Sequence, residues 1–327
     1  MISSKAELRE IIDQLKTVKI LVIGDYMLDR YLWGSVERIS PEAPVPVVQV
    51  QNEEIRLGGA GNVVRNLRNL GVSVDVCGII GDDEQGKGIS RLLKENQVDS
   101  QGLFVDSARP TVAKTRILAG RHHQQILRID REKISPLTDK LINDLNIYLQ
   151  KKIDFIDAII ISDYGKGVVN ENLLALIGST KKIALVDPHP RNYQIYRNLK
   201  IVKPNRREAE LASGVSIENP ESALKAAQIL KTRWGCQMVI ITLGKDGMLI
   251  YSDTLQIFRD THALSVFDVS GAGDTVTAVF TAALAVGASP KLAGDLANIA
   301  AGIVVGEIGT AAIEKDRLME SVERFGS

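Results

Sequence analysis

The stretch Asp268-Val269-Ser270-Gly271-Ala272-Gly273-Asp274-Thr275 stands directly before a long apolar segment of helical pattern. Small residues at a helix start leave backbone N–H groups open, and with the helix dipole these form a site for a phosphate or a developing oxyanion. An aspartate in such a turn can take a proton from a hydroxyl while the amides hold a transferring phosphoryl group. The same spacing also suits Asp274 as a plain helix cap.

Three further groups have types and spacings that fit this chemistry. Thr242-Leu243-Gly244-Lys245-Asp246-Gly247 follows an apolar run, where a glycine turn can expose amides to phosphate at a strand's C-terminal end. It also reads as an ordinary hairpin turn into residues 248–251. Pro204-Asn205-Arg206-Arg207-Glu208 opens a helix pattern with Asn205 and Glu208 on one face at i, i+3. That pair suits Mg2+ held through water, and equally a capping box. Gly24-Asp25-Tyr26-Met27-Leu28-Asp29 and Gly58-Gly59-Ala60-Gly61-Asn62 put two carboxylates and an amide beside glycine turns. Sugar hydroxyls, which donate and accept, match such groups. Each motif alone is also a common turn.

These residues must be held by regular elements. β-Branched runs at 19–23, 74–80, 158–161, 183–186, 200–202 and 238–242 alternate with helix patterns at 84–96, 138–151, 171–177 and 220–234. Continuous apolar strands between helices predict an α/β protein with a mainly parallel sheet covered on both faces. Two segments break the rhythm. Residues 30–51 carry Pro41, Pro44 and Pro46, which excludes helix interior, and 109–132 reads as extended chain with a turn at Gly120. Together they predict a small β-layer, serving as a lid that excludes water, as a dimerisation flap, or as both. From Asp260 onward Gly and Ala dominate, allowing close helix packing and a nucleotide-side scaffold.

Composition excludes several classes. Forty basic residues balance forty acidic ones, so no global field draws nucleic acid or an anionic membrane. Apolar runs are too short to span a bilayer, and the charged, helix-like N-terminus lacks a signal-peptide core. Cys77 and Cys236 have no metal-ligand spacing and read as reduced thiols of a cytoplasmic protein. No G-x-G-x-x-G follows the first strand, which argues against a nicotinamide dehydrogenase. A sugar or nucleotide sensor built on the same cleft is the rival of another class, and intact Asp274 with its glycine turn argues against it.

At these motifs the chain resembles the ribokinase-like (PfkB) family of sugar kinases along nearly its whole length. The resemblance implies a three-layer sandwich with a small β-lid, in one kinase domain over 1–327 with no nucleotidyltransferase domain. It implies Asp274 as catalytic base and Gly271, Ala272 and Gly273 as an anion hole. Asn205, Thr242, Gly244, Gly247 and Asn298 fall at ATP positions, and Asn205 with Glu208 at the pair that governs Mg2+. The implied cofactors are ATP and Mg2+, with a monovalent cation left open. Asp29, Gly59 and Asn62 fall at sugar positions, joined by Asp25 and Gly58 from the same turns. The family's pattern has Ala or Gly where Val279 stands.

Longer strings narrow the resemblance. Gly24 to Tyr31, Arg38 to Val47, Lys114-Thr115-Arg116, residues 124–132 and Ser162-Asp163-Tyr164-Gly165-Lys166-Gly167 are similar to kinase domains acting on D-glycero-D-manno-heptose 7-phosphate in ADP-heptose synthesis. This implies a sugar-phosphate substrate touching Lys114, Arg116, Asp163 and Lys166, and a homodimer through the lid. Arg30, Arg38, Lys114, Arg116, Arg128 and Lys166 are the cations available to the substrate phosphate. His189 replaces a lysine, and Glu307 another, common in that group.

Overall fold

The structure is a computed structural model that describes residues 4–120, 124–261, 270–307, 309 and 311–324. In chain order the first elements are α1 (Lys5–Gln14), β1 (Lys19–Gly24), β2 (Tyr26–Ile39), β3 (Pro46–Gly59), α2 (Ala60–Asn69), β4 (Ser73–Ile80), α3 (Glu84–Glu95) and β5 (Leu103–Val105). The middle of the chain forms β6 (Val112–Ala119), β7 (Gln124–Arg131), α4 (Asp139–Lys152), β8 (Ala158–Ser162), α5 (Glu171–Gly178), β9 (Ile183–Asp187) and β10 (Ile201–Val202). The remainder forms α6 (Arg206–Ser213), α7 (Pro220–Trp234), β11 (Met238–Thr242), β12 (Met248–Ser252), β13 (Leu255–Arg259), α8 (Ala272–Ala285), α9 (Pro290–Val304) and α10 (Lys315–Arg324).

Nine strands form the main sheet in the order β13-β12-β11-β10-β9-β8-β1-β4-β5. It is parallel from β11 to β5, and only β12 and β13 add antiparallel at one edge. Strand alternation divides the core. Ile20 and Val22 of β1 pack with α1, α2, α8, α9 and α10, while Leu21 and Ile23 pack with α4 to α7. Both faces are apolar because both are covered, as the unbroken runs of β-branched residues require. The expected α/β class is the one observed.

A second sheet, β3-β2-β6-β7, projects from the main body. It is mixed: β2 pairs antiparallel with β3 and parallel with β6, and β6 pairs antiparallel with β7. Its strands run further toward the main sheet than the expected 30–51, beginning at Tyr26 and ending at Gly59. The reason is local. Gly24 ends β1 so close to Ser162 that a side chain there would overlap its backbone, and the chain turns at once into β2. Gly59 returns it with φ +57 beside the Asp25 carbonyl, directly into α2.

Candidate active site

The parallel strands β11, β10, β9, β8 and β1 are neighbours, and their C-terminal ends deliver Thr242, Lys203 to Asn205, Asp187, the 163–167 loop and Asp25 in that order. The chain builds outward from β1 in one direction through β4 and β5, then in the other through β8 to β11. The β1–β8 junction is therefore a topological switch point, where open α/β sheets place their ligands.

Asp274 sits above this edge in the first turn of α8, 6% exposed. Its Oδ2 accepts from Asn62 Nδ2 at 2.9 Å and its Oδ1 from the Tyr164 hydroxyl at 2.8 Å. Burial raises its pKa to about 6, with the Asn62 donor opposing the rise and the Asp187 carboxylate adding to it. Below neutral pH it therefore still exchanges a proton, as a base requires. Gly271 precedes the helix in the left-handed region at φ 86, with no side chain capping the first turn. Asp274 does not cap its helix with its own side chain; both oxygens are engaged elsewhere. Thr275 and Asn66 tie α8 to α2 through a 2.9 Å bond, which fixes Asn62 opposite the base.

Lys203 is the residue the sequence reading missed here. It is buried at 2% exposure, pairs with Asp187 at 3.1 Å, and its Nζ lies 3.6 Å from where a Cβ on Gly273 would stand. A buried ammonium thus adjoins the open amides of Gly271, Ala272 and Gly273. Nothing in the sequence distinguishes this lysine from a solvated one at a strand end. Asp187 also accepts from Thr277 at 3.0 Å.

Asn205 and Glu208 form the capping box: Asn205 Oδ1 accepts from the Glu208 amide at 2.9 Å, and Glu208 Oε2 from the Asn205 amide at 2.8 Å. The box does not exhaust Glu208. Burial pushes it up to about 7, and the facing Asp187 adds to the rise. Lys203 pairs with Asp187, and among the described residues no ion pair is made by the Glu208 carboxylate that faces them. A hard divalent cation held through water fits that donor set. Thr242 bridges to Asn205 across the sheet edge. Gly244 lies in the left-handed region with open space around it, but Gly247 is fixed by packing, since a side chain there would overlap the Arg259 carbonyl. The hairpin reading of this turn therefore holds, as β11 and β12 pair antiparallel across it. Asn298 donates to the Asp260 carbonyl at 2.6 Å. Asp268 and Val269 lie outside the described residues.

On the opposite side, Asp29 pairs with Arg116, and Gly58 leaves room for the Asp29 carboxylate. Lys114 lies over the Tyr164 ring, 5.3 Å from its centroid, and Lys166 pairs with Glu132 at 2.6 Å. Two expected sugar contacts are occupied internally. Asp25 accepts from the amides of Tyr164, Lys166 and Val168 at 2.8, 3.0 and 3.4 Å. Asp163 accepts from Tyr196, Asn192 and the Gly165 amide at 2.5, 2.6 and 2.7 Å. Both carboxylates hold the 163–168 loop in shape. His189 packs against Gly165, and Glu307 pairs with Arg317.

A family model described as the pfkB family carbohydrate kinase matches residues 17–317. The chain belongs to the pfkB family of carbohydrate kinases. Its enzyme class is that of an ATP-dependent carbohydrate kinase. The bifunctional protein HldE of Helicobacter hepaticus is 43% identical over 311 residues, covering 94% of this chain and 64% of that protein. The bifunctional protein HldE of Desulfatibacillum aliphaticivorans is 44% identical over 93% of this chain and 63% of its own length. The chain thus spans less than two thirds of the curated relatives it matches. Among solved structures, Arabidopsis thaliana ribokinase complexed with ribose and ATP superimposes with TM-score 0.75 at 19% identity, covering 94% of this chain and 99% of that one. The tetrameric inhibited form of phosphofructokinase-2 from Escherichia coli gives 0.76 at 20% identity, covering 95% of this chain and all of the other. Both share the fold. No helix among the described residues is long and apolar enough to cross a membrane.

Proposed function

We propose that this kinase transfers the γ-phosphoryl group of ATP to the anomeric hydroxyl of D-glycero-β-D-manno-heptose 7-phosphate, giving the 1,7-bisphosphate and ADP for ADP-heptose synthesis. The observation that carries the kinase chemistry is the buried Asp274 carboxylate, held by Asn62 and Tyr164 beside the Gly271 to Gly273 amides and Lys203. Similarity to bifunctional HldE proteins over most of the chain supports the substrate, together with Lys114 over the Tyr164 ring and the nearby cations Arg116 and Lys166 that act on it.

Asp274 takes the proton of the anomeric O–H as that oxygen attacks the γ-phosphorus, and the bond to the β-phosphate oxygen breaks to release ADP. The open amides of the α8 start receive charge on the phosphoryl oxygens, and Lys203 adds a buried positive charge there. Asn205, Thr242, Gly244 and Gly247 form the ATP side, with Asn298 at the adenine end. Asp187 and Glu208 would hold Mg2+ through water, and the ion would supply positive charge to the transferring phosphate. Asp29, Gly58, Gly59 and Asn62 form the sugar side, while Asp25 and Asp163 shape the loop that carries Tyr164 and Lys166.

The projecting sheet acts as the lid over the sugar and as the contact of a cytoplasmic homodimer. Its outer face supports the second role, because Ile55, Ile129 and Leu127 are 37%, 52% and 52% exposed. Light scattering of Ile129→Glu should show monomer where the wild type is dimeric; a wild-type monomer contradicts the dimer.

The substrate is tested by ADP release from Mg-ATP with a panel of the heptose 7-phosphate, fructose 6-phosphate, ribose and adenosine. Strong selectivity for the heptose phosphate, with a 31P signal for an anomeric phosphate, is the expected result. Equal or better turnover of another member would overturn the substrate while leaving the kinase chemistry in place.

A further inference from the structure

Arg109 is a buried cation that the transfer chemistry leaves unused. It lies just before β6 and pairs through Nε with Asp106 at 2.7 Å, both side chains buried. Its other two nitrogens go to main-chain carbonyls of two different segments. Nη1 donates to the Lys166 carbonyl at 2.9 Å and Nη2 to the Ser135 carbonyl at 2.7 Å. One planar fork therefore joins the chain entering β6, the chain leaving β7 and the loop after β8. The platform beneath it is fixed. The Asp106 amide donates to the Ile80 carbonyl at 2.8 Å, the Thr111 amide to Asp83 at 3.0 Å, and the Gly81 amide to the Thr111 hydroxyl at 2.8 Å. Residues 106–111 are thus fastened to the end of β4 and the start of α3.

The loop after β8 is held by opposite charges on opposite main-chain groups. The buried Asp25 carboxylate accepts from the amides of Tyr164, Lys166 and Val168, while the Arg109 guanidinium donates to the carbonyl of Lys166. Bonds with one charged partner are stronger than neutral ones, and a buried carbonyl that loses its donor is left with the full desolvation cost. The Lys166 side chain adds a third tie, to Glu132 beyond β7 at 2.6 Å. Tyr164 stands two residues before Lys166 in this loop, and its hydroxyl donates to Asp274 Oδ1 at 2.8 Å. A phenol ring is rigid, so a shift of the loop backbone reaches the hydroxyl undiminished and turns the carboxylate that it orients. A misplacement of about 1 Å can cost a reaction on the order of 100-fold.

We propose that Arg109 is a positioning residue for the phosphoryl transfer: by fixing the Lys166 carbonyl to the open end of the β6–β7 hairpin, it holds the Tyr164 hydroxyl on Asp274. This rests on Asp274 as the base of the proposed function and not on which sugar is the acceptor. Arg109→Lys keeps a cation beside Asp106 but cannot meet three acceptors in one plane. Tyr164→Phe keeps the ring and removes only the donor to Asp274. If Arg109 acts through that donor, the two changes do not add.

The test measures kcat and KM for ATP, with the best acceptor of the sugar panel, in wild type, Arg109→Lys, Tyr164→Phe and the double variant, with Asp274→Asn alongside. Arg109→Lys should lower kcat by about 10-fold with KM for ATP unchanged, and Tyr164→Phe should lower kcat by about 10-fold or more. The double variant should be no slower than Tyr164→Phe alone. Should Arg109→Lys fold poorly, Arg109→Met combined with Asp106→Asn removes both charges together and supports the same comparison. An unchanged kcat in Arg109→Lys or in Tyr164→Phe would overturn the proposal. An equal fold loss from Arg109→Lys with and without the Tyr164 hydroxyl would overturn it too, because a change acting through the fold costs the same in both backgrounds. Near-normal turnover in Asp274→Asn would overturn the base itself, and with it the proposed mechanism. An inactive Asp274→Asn beside either contrary result would overturn the role of Arg109 alone.

Discussion

Asn62 and Asp274 are 212 residues apart in the chain, and the Asn62 amide nevertheless donates to Asp274 Oδ2 at 2.9 Å. That bond favours the charged carboxylate and opposes the burial that raises the pKa to about 6. Asn62→Leu removes the donor, so the pKa should rise further. The acid limb of kcat/KM for the sugar, expected near pH 6 in the wild type, should move up by about one pH unit. A limb that stays in place, or moves to lower pH, would show that Asn62 does not act through the base.

The same burial has a cost in stability. Asp274 has a folded pKa above its unfolded one, so its contribution is fully present below the unfolded value of 3.8 and is lost as pH rises through about 6. Asp274→Asn removes that ionisation, and a flipped Asn62 could accept from the new amide through its Oδ1, which has no partner in the wild-type fold. The variant should be the more stable protein at pH 7.5, by on the order of 2 to 3 kcal/mol. The gap should close between pH 6 and pH 4, read by denaturant unfolding across that range.

Lys203 joins stability to chemistry. Lys203→Met leaves Asp187 without its ammonium and should destabilise the fold by about 3 to 5 kcal/mol, while turnover falls by about 100-fold or more. Adding Asp187→Asn should recover much of the stability but not the turnover. Recovery of both would make Lys203 a structural residue only.

Gly58 stands where any side chain would meet the Asp29 carboxylate. Gly58→Ala should displace Asp29 from its pairing with Arg116 and raise KM for the sugar by about 10-fold, with KM for ATP unchanged. An equal rise in both would show that the change acts through the fold and not the sugar side.

Much of the fold was legible because its signals are local. The apolar run at 158–161 had to be a doubly covered strand, and the prolines between Pro41 and Pro46 had to interrupt helix, where the structure joins β2 to β3. The place of Asp274 in the first turn of a helix was legible because a glycine turn before an apolar helical run is a local pattern. Lys203 and Tyr164 were not, since their roles arise from burial and from partners distant in sequence, Asp187 for one and Asp274 for the other. Asp25 and Asp163 show the converse. A glycine turn suggested a sugar contact for Asp25 and the string resemblance implied one for Asp163, but Asp25 accepts from three amides of the 163–168 loop and Asp163 from the Gly165 amide, Asn192 and Tyr196, partners that only the folded loop reveals. Of the two readings of Asn205 and Glu208 the capping box is the one observed, and it uses one Glu208 oxygen while the carboxylate still faces Asp187, the arrangement on which the proposed Mg2+ role rests.

The most direct measurement is sugar-dependent ADP release by wild type and by Asp274→Asn, with ATP binding followed in parallel. Wild type should release ADP only when the acceptor sugar is present. The variant should bind ATP normally and turn over at least about 100-fold more slowly. Near-normal turnover in Asp274→Asn, or ADP release indifferent to sugar in the wild type, would contradict the account.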